Sequence, residues 1–252
     1  MSSTAKLKAR LVDILPPPIV YRVAPILYRR QEPELGALDN YLPEARTAID
    51  VGGWLGPWTR ELSRRCATVH TFEPQPGLAA FLRKVIPDNV TLHEKAVSNV
   101  AGSLPLVVPG ARHGQNALAS LDREVQEGDT VHQVEVVRLD DMGFTEVDFV
   151  KIDVEGRERE VLEGARELLA RERPRLIVEA EQRHLDAPLS AMFDLLADLG
   201  YTGWFLHRGT WHPLADFDVQ RHQLDHLDAL LGPDYINNFL FIPSEDSYSP
   251  TA

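Results

Sequence analysis

Beyond Thr47 the chain alternates short β-rich runs with stretches of helical character, and this alternation leaves few folds open. The β-rich runs are 47–51, 68–72, 90–96, 148–153 and 175–181, and the helical stretches are 59–65, 77–85, 157–169 and 188–199. Strands joined through helices imply βαβ crossovers and a parallel sheet covered on both faces. The run Asp148-Phe-Val-Lys-Ile-Asp-Val is nearly continuous and apolar, as a strand buried on both faces should be, and Leu176-Ile-Val reads the same way. The expected fold class is therefore α/β, with a mostly parallel sheet. Residues 103–108 and 131–138 are also strand-like and enclose a polar loop with His113, Gly114, Gln115, Asn116 and Ser120. They read as an insertion between the third and fourth core strands. Residues 202–206 and 238–242 read as an antiparallel terminal pair, joined by a connection at 207–234 rich in His and Asp.

Three regions follow. Residues 1–46 form an accessory segment in which Pro16, Pro17 and Pro18 divide two short helical pieces, with a further short helix within 34–41. Residues 47–243 form the main domain, and 244–252 a flexible polar tail. At 44% hydrophobic and 25% charged, the 252-residue chain is globular in composition. Its net charge of −12 argues against nucleic acid and against anionic membranes as partners. The single cysteine, Cys66, excludes an internal disulfide and a Cys-based zinc site. No run of about 20 apolar residues is present, and Arg22, Arg29 and Arg30 interrupt the N-terminal apolar stretch. A cytoplasmic protein without stable membrane insertion is expected, with at most weak interfacial contact by the N-terminal segment. A homo-oligomer is compatible with all of this.

Four motifs carry chemistry. The first is Ala48-Ile-Asp50-Val-Gly52-Gly53-Trp54-Leu-Gly56-Pro-Trp58-Thr59, a strand running through a glycine-rich turn into a helix. Such a turn lets a ligand approach the backbone, and a helix start offers unpaired N–H groups. Gly52 and Gly56 do not have the dinucleotide spacing, and Asp50 suits a ligand with a positive centre. The second is Phe72-Glu73-Pro74, whose acid lies 21 residues after Gly52, where a carboxylate can hold a ribose diol. Together these describe a nucleoside cofactor without a required pyrophosphate, and S-adenosylmethionine fits. The third is Asp148 to Gly156, with Asp153 and Glu155 at a strand's C-terminal end, where open α/β sheets bind ligands. On a continuing strand the two acids would share a face and could take an acceptor's proton, while Glu155 could equally cap the following helix. The fourth is Glu179-Ala-Glu181-Gln-Arg-His184. Asp153 with Glu179 offers two oxygens for Mg²⁺, and His184 is a candidate general base. His222 and His226 lie four apart without an evident third ligand, and Asp140-Asp141 reads as a strand end opening a turn.

This ordered set resembles the FkbM-type family of S-adenosylmethionine-dependent methyltransferases. The resemblance rests on Ile49-Asp50-Val51-Gly52, Phe72-Glu73-Pro74, Ala96-Val97-Ser98-Asn99, Leu139-Asp140-Asp141 and Asp148–Gly156. It extends through Val161-Leu162-Glu163-Gly164-Ala165 to 238–243, and so covers about residues 46–243. It implies a class I methyltransferase (Rossmann-like) three-layer fold, with a seven-stranded sheet whose last strand is antiparallel. It implies methyl transfer, usually to a hydroxyl of a sugar or polyketide-type product. By position, Asp50, Gly52, Gly53, Trp54 and Gly56 would meet the methionine end, Glu73 with Pro74 the ribose, and Ala96 with Val97 the adenine. Family members usually carry Ala-Asn where this chain has Gly53-Trp54, and a tryptophan there would narrow the cofactor mouth.

The reading is an O-methyltransferase with a small-molecule hydroxyl acceptor. Asp153, Glu155, Glu179 and His184 are the candidate catalytic residues, and Asp153 or His184 assists deprotonation. N-methylation of an amine and a catalytically silent cofactor- or partner-binding module are the alternatives.

Overall fold

The structure, a computed structural model, describes residues 15–29, 31–42, 44–109 and 125–250. The polar loop with His113 to Ser120 lies outside the described residues.

Eight strands form the main sheet. They are β1 (Ala45–Val51), β2 (Cys66–Phe72), β3 (Val90–His93), β7 (Val147–Ile152), β8 (Arg175–Glu179), β9 (Tyr201–His207), β10 (Thr210–Pro213) and β11 (Asn238–Pro243). Their spatial order is β10-β9-β11-β8-β7-β1-β2-β3. Pairings among β3, β2, β1, β7 and β8 are parallel, while β11 runs antiparallel to both β8 and β9. Seven of these strands make the Rossmann-like class I methyltransferase sheet that the motifs imply. The eighth, β10, is an addition, because Arg208 and Gly209 turn the chain back on β9 with positive φ.

Helices cover both faces. The N-terminal elements are α1 (Pro17–Tyr28), α2 (Pro33–Gly36) and α3 (Leu38–Tyr41), and the crossovers begin with α4 (Pro57–Leu62) and α5 (Pro76–Leu82). Later come α6 (Glu158–Glu163), α7 (Arg166–Glu172), α8 (Ser190–Asp198) and the short α9 (Val219–His222). Strand alternation sorts the core. Ile49, Val51, Val150, Ile152, Leu176 and Val178 pack toward α6, α7 and α8. Ala48, Phe149, Ile177 and Leu240 pack toward Leu35, Leu38, Tyr41, Trp58 and Leu62 on the opposite face.

The triple proline starts α1, and the helical piece expected before it lies outside the described residues. Pro16 is the N-cap and Pro17 the first helical residue, where a missing N–H and a fixed φ cost nothing. The 90–96 run is split. Val90–His93 joins the main sheet, whereas β4 (Ala96–Val97) pairs with β6 (Thr130–Val137) in a separate sheet completed by β5 (Gly102–Val108). The antiparallel β5–β6 ribbon is the expected insertion. The single helix expected over 157–169 is broken at Gly164. A Cβ there would lie 2.1 Å from the Ser98 carbonyl oxygen, so the chain after β4 presses directly on the helix break. The 244–250 stretch is tied to the sheet's lower edge by Arg173–Glu245 and Arg175–Asp246 ion pairs, and Arg175 lies over the Tyr248 ring.

Gly164→Ala should therefore force either β4 or α6 to move. The expected cost is about 1–3 kcal/mol, read as a lower urea midpoint with an unchanged slope; an unchanged midpoint would refute the contact.

Candidate active site

The parallel strands end at one edge, and their alternation decides what gathers there. β1 and β7 are in register with Asp50 opposite Lys151, and β1 and β2 with Asp50 opposite Thr71. Lys151 and Glu179 continue the face that carries Phe149 and Ile177. Lys151 is only 1% exposed. Its Nζ lies 3.7 Å from Glu179 Oε2, 3.9 Å from Asp153 Oδ2 and 3.4 Å from Asn238 Oδ1, and 5.5 Å from the centre of the Trp58 ring. Burial pulls the ammonium down, but Asp153, Glu179, Glu32 and Asp50 together hold it above its ordinary value. The position between Asp153 and Glu179 that was expected to suit Mg²⁺ is thus filled by a lysine ammonium. Among the described residues no group of three or more His, Cys, Asp or Glu is arranged to hold a metal. His222 instead accepts a hydrogen bond at Nδ1 from the Asp218 N–H.

Above this edge opens a cleft of about 190 Å³. Gly52, Gly53, Trp54, Glu73, Pro74, Ala96, Val97, Asp153, Glu155 and Glu179 all line it. Gly52 has φ +94°, and a Cβ there would lie 1.9 Å from the Asp153 carbonyl oxygen, so only glycine lets β1 and β7 end this close. The turn's amides are not free for an anion. Gly52 and Gly53 both donate to the Phe72 carbonyl, Gly56 donates to Gly53, and Trp54 donates to Glu73 Oε2 at 2.8 Å. Glu73 Oε1 accepts the Gln75 N–H at 2.9 Å. Both oxygens of this buried carboxylate are therefore oriented by backbone, and each keeps a lone pair. Burial pushes Glu73 up to about 7 against these two hydrogen bonds.

Two expected cofactor residues lie elsewhere. Asp50 is buried beneath the cleft. Its Oδ2 accepts the Thr59 hydroxyl at 2.5 Å, its Oδ1 is buried without a partner, and burial pushes it to about 7. Gly56 faces away from the cleft, and a Cβ on it would strike the Tyr21 ring at 2.5 Å.

The loop after β7 does not continue the strand. Glu155 has φ +54° and Gly156 φ +103°, so Asp153 and Glu155 reach the cleft through a kink and not by strand alternation. A left-handed non-glycine residue is strained, and such strain gathers at functional sites. No side chain caps α6; Glu158, its first residue, reaches back, and its Oε1 accepts the Gly156 N–H at 2.9 Å. That leaves Glu155 free to face the cleft, where burial and then Asp153 push it up to about 8. His184 stands behind it, with Nε2 3.8 Å from Glu155 Oε2. The imidazole lies outside the main cleft, beside a small hollow shared with Glu158 and Glu181, and burial lowers its pKa. Glu181 is paired with Arg183 and the Tyr235 hydroxyl.

The sequence motifs miss what the N-terminal segment supplies. Tyr28 and Glu32 line the cleft, Tyr28 packs on Trp54 with ring centres 5.0 Å apart, and Glu32 accepts the Trp58 indole N–H. Burial holds the Glu32 carboxyl above its ordinary value. No motif marks these two residues. Lys151 lies within the Asp148–Gly156 motif, yet its buried position among the acids was not read from it; a charge inside an apolar strand run is the signal that could have shown it.

The Methyltransferase FkbM domain matches residues 47–202, more than half of the chain. The chain belongs to the FkbM methyltransferase family. No curated protein matches it. Among solved structures, the FkbM methyltransferase from Methylobacillus flagellatus KT is similar at 17% identity and a TM-score of 0.49, over 79% of this chain and 43% of that one. The chain thus spans less than half the length of that protein. A precorrin-6y C5,15-methyltransferase from Geobacter metallireducens is 17% identical, with a TM-score of 0.42, over 83% of this chain and 85% of that one. A putative methyltransferase from Streptococcus mutans, in complex with SAH, is 12% identical, also with a TM-score of 0.42, over 83% and 97%. The FkbM match ends before β10 and begins after α1 to α3, so Tyr28 and Glu32 are contributed from outside it.

Lys151→Met should leave the half-buried Asp153 and Glu179 without their cation. It should cost about 1–3 kcal/mol at pH 7.5, with a smaller loss at pH 5.5, because burial holds Glu179 well above the usual carboxylate range and a proton there stands in for the ammonium; equal losses at both values would refute the electrostatic role. The wild-type protein should itself lose stability as pH rises. Asp50, Glu73 and Glu158 are held up to about 7 and Glu155 to about 8, so the folded chain keeps protons that the unfolded chain has released. Histidines whose pKa values are lowered act in the opposite sense, but only below their ordinary 6.5. Between pH 6.5 and 8 the melting temperature should therefore fall, and a flat or rising curve would contradict these assignments.

Proposed function

We propose that this chain is an S-adenosylmethionine-dependent O-methyltransferase acting on a hydroxyl of a small sugar or natural-product acceptor. The observation that carries the reading is the cleft itself. A buried, backbone-oriented Glu73 on one wall faces Asp153 and Glu155 on the other, across the glycine turn. The residues present fit the cofactor. Glu73 keeps a lone pair on each oxygen for a ribose diol, and Phe72, Val97 and Leu106 provide apolar walls for a flat ring. Trp54 does not close the mouth: its ring packs on Tyr28, and its N–H serves Glu73.

The bound cofactor supplies an electrophilic sulfonium methyl. The chain's own part is to orient the acceptor and to hold a proton. Asp153 lines the cleft directly and takes the hydroxyl proton, with Lys151 fixing its carboxylate. His184 is reached only through Glu155 and stands as its support. Tyr28 and Glu32 sit where an acceptor would lie and contribute to choosing it. Most of the acceleration comes from holding two reactants in line.

Thermal unfolding with S-adenosylmethionine, S-adenosylhomocysteine and NAD tests the cofactor. Ligand at about 100 times its Kd should stabilise by roughly 2.7 kcal/mol, and NAD should do nothing; a shift with NAD alone would sink the reading. Glu73→Gln should weaken cofactor binding by about 10- to 100-fold. Asp153→Asn should lower kcat by about 10²–10⁴ with cofactor affinity held, and a near-normal kcat would remove Asp153 as the base.

A further inference from the structure

One part of the cleft lining comes from the N-terminal elements, and its charge is not balanced. Glu32 is 6% exposed and lines the cleft. Its Oε2 accepts the Trp58 indole N–H, while its Oε1 meets no donor among the described residues. A carboxylate oxygen so enclosed calls for a donor from a ligand. Tyr28 lines the cleft beside it. Burial, and then the charges of Glu32, Asp153, Glu179 and Glu155, hold the Tyr28 phenol well above its ordinary value. Those four carboxylates all line the cleft as well. The cations at hand do not match them. Lys151 pairs with Asp153 and Glu179. Lys95 and Arg157 line the cleft, but Lys95 pairs with Glu135 at 2.7 Å and Arg157 with Glu160 at 3.7 Å. His184, near Glu155, is held below its ordinary value by burial and brings no charge at pH 7.5. Among the described residues no cation therefore pairs with Glu32 or Glu155 at that pH.

We propose that the acceptor is an amino sugar, and that Glu32 receives its ammonium group beside the Tyr28 ring. The inference rests on the methyl-transfer reading above and names the acceptor class within it. A metal ion is not the missing charge, because the acids present are not arranged to hold one among the described residues. One cofactor sulfonium does not balance two unmet carboxylates. The aromatic lining favours the same ligand. Tyr28, Trp54 and Trp58 all line the cleft, and Trp58 already faces the Lys151 ammonium at 5.5 Å. An ammonium held on a carboxylate keeps its proton and has no lone pair for attack. A neighbouring hydroxyl is then the group that meets Asp153, which favours transfer to oxygen over transfer to nitrogen. The same negative charge rejects acceptors that carry phosphate or carboxylate groups. Glu32 and Tyr28 precede the matched residues 47–202, so this selection is made by the chain's own N-terminal elements and not by the shared motifs.

Calorimetric titration of the full chain, with and without saturating S-adenosylhomocysteine, tests it. The probes are glucosamine, galactosamine and mannosamine, their N-acetyl forms, and glucose 6-phosphate. At least one amino sugar should bind about ten-fold or more tighter than its N-acetyl form, and the sugar phosphate should not bind. Glu32→Gln keeps an oxygen for the Trp58 N–H but loses the charge. It should abolish the preference for the amine while the thermal shift with S-adenosylhomocysteine persists. Tyr28→Leu should weaken amino-sugar binding about two- to thirty-fold, and Tyr28→Phe should restore it. No measurable amino-sugar binding, equal affinity for the N-acetyl forms, binding of the sugar phosphate, or a preference that survives Glu32→Gln would overturn the proposal. So would a labelled methyl group from S-adenosylmethionine recovered on nitrogen. A thermal shift with S-adenosylhomocysteine but no amine preference would overturn the acceptor class and leave the cofactor reading standing. Amine preference without that shift would uphold the ammonium site at Glu32 and remove the cofactor reading.

Discussion

One buried ammonium governs the edge of the sheet. Lys151 has no route to water, and a charge in that position persists only with close opposite charge. Asp153 and Glu179 meet it directly, while Asp50 and Glu32 complete the ring. The arrangement is a consequence of parallel strands in register. β1, β7 and β8 end at one level, so side chains of one parity converge on one face. Three of these acids, Glu32, Asp153 and Glu179, also line the cleft. The ion cluster that stabilises the strand ends is thus also the polar lining that an acceptor would meet.

The N-terminal segment is bound into this cluster from above. Glu32 meets the Trp58 indole, and Tyr28 meets Trp54. These contacts explain a tryptophan inside a glycine turn. Trp54 holds a left-handed backbone at φ +44°, which strains a bulky residue, yet that geometry aims its N–H at Glu73 and its ring at α1. The turn, the acid on the second strand and the covering helix are one mechanical unit. A second strained point, Glu155 with Gly156, closes the opposite wall and brings His184 within reach of Glu155. Gly156 is needed there, since a Cβ would lie 2.7 Å from the His184 carbonyl oxygen.

Much of this was legible in the chain. The alternation beyond Thr47 determined a parallel α/β sheet, because an apolar run such as 148–154 is stable only when covered on both faces. The glycine turn and Glu73 determined two opposite features of one cleft, since both fall at the C-terminal ends of adjacent strands. Local pattern also placed Asp153, Glu155 and Glu179 at strand ends, and all three line the cleft.

Other features were decided only by contacts between segments distant in sequence. The helix break at Gly164 depends on where β4 passes, and the departure of Ala96–Val97 to a second sheet depends on pairing with β6. The replacement of a metal by Lys151 between Asp153 and Glu179 needs three-dimensional distances. So does the burial of Asp50 below the cleft rather than within it. Tyr28 and Glu32 carry no motif at all, for their role exists only because α1 packs along α4 and brings the chain after it to Trp58. Periodicity records which side of its own element a residue faces. Which segments then meet across that face is set by packing of the whole chain, and that is where this site acquired its buried lysine's partners and its covering helix.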